Sequence, residues 1–176
     1  MIKVGDDVST DEILPAGARA LPFRSDIARL ADFTFTRLDE GYPERARRAG
    51  THIVVGGSNY GQGSSREHAA IAPRHLGLRV VMAVSYARIH WQNLINFGIL
   101  PLEFTDAGDH GRIREGDELE ARGLRAALGE DREIVVRNLT RDETYRLRHR
   151  LSPRQRELVA AGGQIPLLRR RLTSFA

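Results

Sequence analysis

A glycine-rich segment, residues 56–68, holds the side chains best suited to chemistry. Its glycines allow sharp turns and let the backbone come close to a ligand. Arg66 offers a planar guanidinium group that suits a carboxylate or a phosphate. Ser64 lies two residues before this charge, which would stabilise the negatively charged form of its hydroxyl. The segment therefore predicts an anion site with a serine that could act as a base.

Single residues exclude two nucleotide-binding motifs that also use glycine loops. A P-loop has a lysine after its last glycine, whereas Ser64 follows Gly63 in this chain. A dinucleotide fingerprint requires glycine or alanine at the position that Arg66 occupies. The anion is therefore predicted to be a carboxylate rather than a nucleotide phosphate.

Ser64 also has a purely structural interpretation. Ser64 and Glu67 have the spacing of a capping box, in which a serine starts a helix and a glutamate three residues later bonds back to it. Ser65 could take the cap instead, which would leave the Ser64 hydroxyl available. The local pattern leaves both interpretations open.

The glycine-rich segment is predicted to connect a strand to a helix within an alternating α/β region. Apolar runs bounded by glycine and proline indicate buried strands, and the stretches between them have helical spacing. Such βαβ units form a parallel sheet, and ligands bind beyond the carboxyl ends of its strands. The predicted strands cover residues 51–57, 78–84 and 99–104, and the predicted helices cover residues 66–76 and 86–97.

The flanking regions complete one α/β domain over residues 1–176. Further helices are predicted at 27–38, 44–49 and 153–161, and antiparallel strands at 118–120, 133–139 and 144–147. We predict a swivelling β/β/α three-layer domain with a central mainly parallel sheet, a smaller antiparallel sheet and flanking helices. Its expected parts are an N-terminal loop (1–25), a βαβ core (51–104), a β-rich part (105–150) and a C-terminal helix (153–163).

The composition narrows the function further. The 176 residues include no cysteine, which excludes disulfides, thiolate metal sites and an iron–sulfur cluster ligated by this chain's own cysteines. The six histidines have no metal-binding spacing, so no metal site is predicted. No signal peptide or membrane span is recognisable, and we expect a cytoplasmic protein without membrane contact. The net charge of +4 is interpreted mainly as a solvated basic surface rather than a nucleic-acid site.

Several segments together resemble the swivel domain of the aconitase and isopropylmalate dehydratase family. The strongest is residues 59–70, NYGQGSSREHAA, followed by PRHLG at residues 73–77. The similarity continues through SYARIH at residues 85–90 and FGILPL at residues 97–102. Upstream it includes STDEI at residues 9–13 and downstream LVAAGG at residues 158–163. The resemblance covers nearly the whole chain and is weak only between residues 106 and 150.

This resemblance implies a chemistry and a set of site residues. The family removes and re-adds water on hydroxy di- or tricarboxylic acids, using a [4Fe–4S] cluster carried by other domains or by a separate large subunit. By the same resemblance Ser64 is the catalytic base, and the chain is inactive without its cluster-bearing partner. The implied substrate-binding residues are Ser65, Arg66, Asp11 and Arg24, with Arg19 as the alternative to Arg24.

Three hypotheses for the function follow. The first is an aconitate hydratase component, because a second arginine in the loop at residues 18–24 suits a tricarboxylate such as citrate or isocitrate. The second is the small subunit of a 3-isopropylmalate or homoaconitate dehydratase; Gln62 tells against it, because the isopropylmalate branch tends to have cysteine there. The third is a non-catalytic RNA-binding module, which the arginine content supports only weakly.

Overall fold

The structure, a computed structural model, describes residues 2–129 and 133–173. The strands are β1 (Ile2–Lys3), β2 (His52–Gly56), β3 (Leu78–Ala83), β4 (Leu100–Phe104), β5 (Leu119–Ala121), β6 (Ile134–Asn138) and β7 (Glu143–Arg148). The helices are α1 (Thr10–Ile13), α2 (Ile27–Leu30), α3 (Tyr42–Ala49), α4 (His68–His75), α5 (Arg88–Asn96), α6 (Asp109–Arg112), α7 (Leu124–Gly129), α8 (Pro153–Ala161) and α9 (Gln164–Thr173). Short 3₁₀ turns lie at Leu21–Phe23 and Ala31–Phe33.

The described strands form one seven-stranded mixed sheet in the order β1-β2-β3-β4-β7-β6-β5. Strands β1 to β4 are parallel, and β7, β6 and β5 continue the sheet in antiparallel fashion. The α/β class and the combination of parallel and antiparallel strands are confirmed. The two parts are continuous rather than separate, because β4 pairs directly with β7 through Glu103↔Arg148 and Phe104↔Leu147.

Burial explains why the two halves of the sheet have different sequences. In the parallel half, adjacent residues Val54 and Val55 are both fully buried, and they belong to separate apolar clusters. Because successive side chains point to opposite faces, the sheet carries a packed layer on each side. In β6, by contrast, Ile134 and Val136 are buried whereas Val135 is exposed, the alternation of a sheet with one solvated face.

The predicted helix at residues 27–38 is wrong beyond its first turns. Helix α2 has only four residues and passes into the 3₁₀ turn Ala31–Phe33, after which the backbone is extended at Thr34. Phe35 then adopts a positive φ of 56° and donates its N–H to the Ile13 carbonyl at 2.8 Å. A contact with a distant loop therefore overrides the local helical spacing.

The part predicted to be β-rich, residues 105–150, also contains helices. Helices α6 and α7 lie within it, and residues 130–132 of this part fall outside the described residues. Helix α8 begins with a capping box at Ser152 and ends at Gly162, which has the expected left-handed conformation. Helix α9, which was not predicted, follows directly. Among the described residues no helix combines the length and apolar character needed to cross a membrane.

Candidate functional site

The glycine-rich loop leaves the carboxyl end of β2 and is fastened to the N-terminal motif by backbone hydrogen bonds. The N–H groups of Gly61 and Gln62 donate to the Val8 carbonyl at 2.7 and 3.1 Å. Thr10 donates its N–H to the Gln62 carbonyl at 2.8 Å and its hydroxyl to the Ser64 carbonyl at 3.0 Å. Two segments more than 50 residues apart in the chain therefore form a single structural unit, and this unit positions Ser64.

Glycine is required where the loop passes over helix α5. Gly61 has a φ of +82°, and a Cβ placed on it would lie 2.2 Å from the ring of His90. Gly63 has a φ of +97°, a conformation that side chains with a Cβ rarely adopt. The two glycines thus allow the backbone to lie against the imidazole and to turn toward Ser64.

The capping interpretation of Ser64 is wrong. Helix α4 begins at His68, its N-cap is Glu67, and no side chain caps it. Ser64 therefore lies four residues before the helix, and Ser65 does not take the cap either. Both serines are exposed. The Ser64 carbonyl instead accepts the hydroxyl of Thr10, which lies 54 residues earlier in the chain.

Asp11 and Arg66, both implied by the resemblance to bind substrate, contact each other in the structure. Arg66 donates to one carboxylate oxygen of Asp11 at 2.5 Å, and the Ala16 N–H donates to the same oxygen at 3.1 Å. The other oxygen accepts from Arg37. Asp11 thus holds two guanidinium groups at once and fixes the plane of the Arg66 fork.

These hydrogen-bond partners stabilise the charged form of Asp11. The hydrogen bond from Arg66, together with the Ala16 N–H and Arg37, lowers the pKa of the Asp11 carboxyl to about 2. Asp11 is therefore a carboxylate at any physiological pH and is unsuited to act as an acid or a base. In this geometry its carboxylate holds the Arg66 guanidinium by a hydrogen bond.

Ser64, Ser65 and Arg66 line one pocket of about 220 Å³, here called the serine pocket. Its opposite wall belongs to α5 and includes His90 and Asn93. The structure therefore brings the three loop residues together. Asp11 contacts this group through Arg66.

Arg66 also borders a second pocket of about 210 Å³, here called the arginine pocket. Arg24 lies on its rim, and the Arg24 carbonyl contacts the His68 ring nitrogen at 3.0 Å. Most of the remaining wall is apolar and is formed by Leu14, Pro15, Ala16, Ala20, Leu21 and Leu30. An anionic group held by the two arginines would therefore have an aliphatic surface beside it.

Arg19, the alternative to Arg24, faces a different space. It lines a pocket of about 510 Å³ together with Arg37 and Glu40. Of these two loop arginines, Arg24 is therefore the one that shares a pocket with Arg66.

Sequence reasoning missed two functional candidates. Arg37 follows the irregular turn after Phe35, and no local pattern indicated that it would reach Asp11. The sequence assigns His90 no role beyond the lack of metal-binding spacing among the histidines, and only the fold shows that it borders the serine pocket. Both contacts depend on segments far apart in the chain, so the only available signal was the residue type.

The assembled site can bind a carboxylate and present a serine hydroxyl to it. In the described part of the chain, no group of three or more histidine, aspartate or glutamate side chains is placed to hold a metal ion. Cysteine is absent from the sequence, so a cluster that depends on thiolate ligands does not fit this chain.

One family model and several known proteins are similar to this chain. The model of the aconitase C-terminal domain matches residues 40–107. The 3-isopropylmalate dehydratase small subunit of Nitratidesulfovibrio vulgaris is 39% identical over 170 residues, which cover 97% of this chain and 92% of that protein. A methanogen homoaconitase small subunit from Methanocaldococcus jannaschii is 34% identical over 174 residues, covering 96% of this chain and 89% of that protein. A protein described as a mitochondrial aconitate hydratase, from Emericella nidulans, is 40% identical over 68% of this chain and 16% of its own length.

The fold is also similar to that of a solved structure. A crystal structure of 3-isopropylmalate dehydratase from Methanocaldococcus jannaschii matches with a TM-score of 0.79 and 32% sequence identity, covering 98% of this chain and 93% of that one. Sequence and structure therefore match over nearly the full length rather than at one motif. The chain belongs to the aconitase and isopropylmalate dehydratase family, as its swivel domain.

Proposed function

We propose that this chain is the small subunit of a hydro-lyase of the isopropylmalate dehydratase type. The observation that carries the proposal is the placement of Ser64, Arg66 and Arg24 around two adjoining pockets, one of them mostly apolar. Relatives of this chain that match it over nearly their whole length are small subunits, which supports the same conclusion.

Ser64 would remove the proton from the carbon next to a substrate carboxylate. This removal builds negative charge on the carboxylate oxygens, so a cation fixed beside them stabilises the transition state more than the ground state. Arg66 is placed for this role because Asp11 holds its guanidinium in one orientation. Ser65 would donate a further hydrogen bond to the same carboxylate.

The remaining chemistry would come from a partner. A large subunit would carry the [4Fe–4S] cluster, which when bound would supply a Lewis acid for loss of the substrate hydroxyl as water. This chain would supply the base and the carboxylate clamps, and it would be inactive alone. A cytoplasmic location fits such an enzyme and remains part of the proposal.

The apolar wall of the arginine pocket favours an aliphatic substituent on the substrate. Leu14, Leu21 and Leu30 would contact an isopropyl group, whereas a third carboxylate there would lose part of its hydration. We therefore prefer an isopropylmalate-type substrate to citrate, which reverses the order of the sequence-based hypotheses.

A tricarboxylate substrate is the second candidate. Arg24 shares the arginine pocket with Arg66, so two cations could bind two carboxylates. Homoaconitate would meet this requirement in a small-subunit enzyme. The clamp can be identified by comparing Arg24→Ala with Arg19→Ala, since we expect the former alone to raise KM.

The proposal is tested by reconstituting the chain with the cluster-bearing large subunit from the same genome under anaerobic conditions. Hydration of isopropylmaleate, cis-aconitate and homoaconitate would be measured in parallel. We expect Ser64→Ala to lower kcat by about 10²–10⁴, the usual contribution of a positioned base. Ser58→Ala, in the same loop but away from both pockets, is the matched control and should retain activity.

Each outcome is informative. If the complex prefers cis-aconitate and Ser64→Ala loses activity to the same extent, the hydro-lyase assignment stands and the substrate assignment is wrong. Full activity of Ser64→Ala would remove the proposed base. Salt-sensitive binding of RNA without hydration of any of the three alkenes would favour the RNA-binding hypothesis.

A further inference from the structure

Two buried polar side chains on helix α5 have atoms without hydrogen-bond partners among the described residues. His90 is 1% exposed, and neither of its ring nitrogens is bonded. Asn93 is 7% exposed, and its side-chain amide nitrogen is also unpaired. Native proteins rarely leave buried donors and acceptors unpaired, because such groups lose their water without compensation. Something outside the protein's own side chains is therefore expected to bond them.

The two residues face the same space. They are three positions apart on α5, which puts them on one face of the helix, and both line the serine pocket. The backbone of Gly61 covers the His90 ring, and the pocket of about 220 Å³ between α5 and the loop has room for water molecules. Ser64 lines this pocket from the opposite side.

The state of His90 suits a hydrogen-bonding role. Burial lowers the pKa of its imidazole to about 4, so the ring is neutral near neutral pH. A neutral ring offers one donor and one acceptor, whereas the Asn93 amide nitrogen offers donors. The pair can therefore orient a molecule that both donates and accepts, which is what water does.

We propose that His90 and Asn93 hold a buried water molecule that hydrogen-bonds Ser64 and sets the direction of its hydroxyl. The inference rests on the proposed function, because it assigns His90 and Asn93 as positioning residues for the proposed base. The water occupies the serine pocket, and Ser64, which is exposed, remains accessible to the substrate. Gly61 belongs to this arrangement, since a side chain there would displace the ring.

The first test is a high-resolution crystal structure of the complete chain. We expect an ordered water within hydrogen-bond distance of His90, Asn93 and the Ser64 hydroxyl. A pocket without that water, or a water bonded to the α5 residues but out of reach of Ser64, would overturn the inference. This readout does not depend on the enzyme being active.

The second test uses kinetics of the reconstituted complex. We expect His90→Leu to lower kcat about tenfold with KM unchanged, the effect of one lost hydrogen bond in the transition state. His90→Gln, which can still bond a water, should recover most of the rate. Gln92→Leu lies on the same helix, outside the serine pocket, and serves as the control that should remain active.

The readouts separate this role from a structural one. Because the His90 nitrogens bond no group of the described chain itself, the melting temperature of His90→Leu should equal or exceed that of the unsubstituted chain. A parallel fall in melting temperature and kcat without recovery by His90→Gln would show a packing role and contradict the inference. If Ser64→Ala is inactive while His90→Leu is fully active, the proposed function stands and the water-mediated positioning fails.

Discussion

Two groups of buried polar residues in this molecule differ in whether their side-chain atoms have hydrogen-bond partners. In the antiparallel half, Asn138 donates to Asp117 at 2.7 Å and to the Tyr145 hydroxyl at 3.2 Å. Tyr145 in turn donates to Glu143 at 2.7 Å, and the Asn138 side-chain oxygen accepts two backbone N–H groups. In the serine pocket of the parallel half, His90 and Asn93 leave atoms unpaired.

This difference in pairing distinguishes polar groups that stabilise the fold from polar groups that are available to a ligand. The Asn138 network closes the turn between β6 and β7 and bonds each member within the chain. His90 and Asn93 border the pocket that contains Ser64, and their free atoms remain available there. A satisfied network rigidifies its surroundings, whereas unpaired groups beside a reactive residue mark a place for water or substrate.

The largest expected effect comes from breaking the satisfied network. We expect Asn138→Ala to lower the free energy of unfolding by about 3 kcal/mol, because it leaves the buried Asp117 carboxylate without one of its donors. Chemical denaturation of the chain measures this change. The complex should keep its KM once assembled, since the network is remote from both pockets.

The matched control for this network is Thr144→Ala on the exposed face of β7. We expect a change within about 0.5 kcal/mol, as for an ordinary surface substitution. An equally small change in Asn138→Ala would show that the two regions do not differ in the way proposed.

The pH dependence of stability sharpens the same comparison. Burial lowers the pKa values of His52 and His90 to about 4, below the value of about 6.5 expected in an unfolded chain. The unfolded state thus binds more protons between these two pH values. The stability that the two neutral histidines contribute is therefore fully present above pH ~6.5 and is lost as the pH falls toward ~4. At pH 5 we expect His90 to account for about 2 kcal/mol of the loss.

Thermal melts at pH 7.5 and pH 5 would measure this effect. His90→Leu should show a smaller fall between the two values than the unsubstituted chain, while His52 keeps part of the slope in both. Identical slopes would mean that His90 binds protons equally well in the folded and unfolded states, which contradicts the prediction.

The smallest expected effect concerns the orientation of Arg66. We expect Asp11→Asn to lower kcat/KM about tenfold, because an amide holds the guanidinium groups of Arg66 and Arg37 less firmly than a carboxylate does. Steady-state kinetics of the reconstituted complex measures it, and the melting temperature should change little because Asp11 is half exposed. Asp26→Asn, which removes an exposed carboxylate next to Arg29, is the control.

Much of the fold was predictable from local patterns. The buried runs of β2, β3 and β4 could be identified because both faces of each strand are covered, and α8 because Ser152, Pro153 and Gly162 mark its ends. The helix at residues 27–38 failed because Phe35 bonds to Ile13, a contact that no window of local sequence contains. Helix α9 was not predicted because Gly162 and Gly163 indicated the end of the last helix. In the structure the chain turns at these glycines and then forms a second helix.

The candidate site also combines residues that the sequence could identify with contacts that only the fold reveals. Ser64, Ser65 and Arg66 could be selected by type and spacing, and the structure places them together in one pocket. Whether Ser64 caps a helix could not be decided locally, since Ser64 and Ser65 both precede the helix in sequence, and only the structure shows that the N-cap is Glu67. Arg24 and Arg19 were indistinguishable in the sequence because one loop carries both, and only the folded loop assigns them to different pockets.

The sequence by itself determined the family, the α/β class and the absence of cysteine ligands, because these depend on residue types and on their order along the chain. The tertiary structure alone decided that Asp11 joins Arg66 to Arg37 and that His90 lies beneath Gly61 with its nitrogens unpaired. The physical reason is that hydrogen bonds and burial act over a few ångströms in space. The residues that they connect here are 26 to 55 positions apart in the chain.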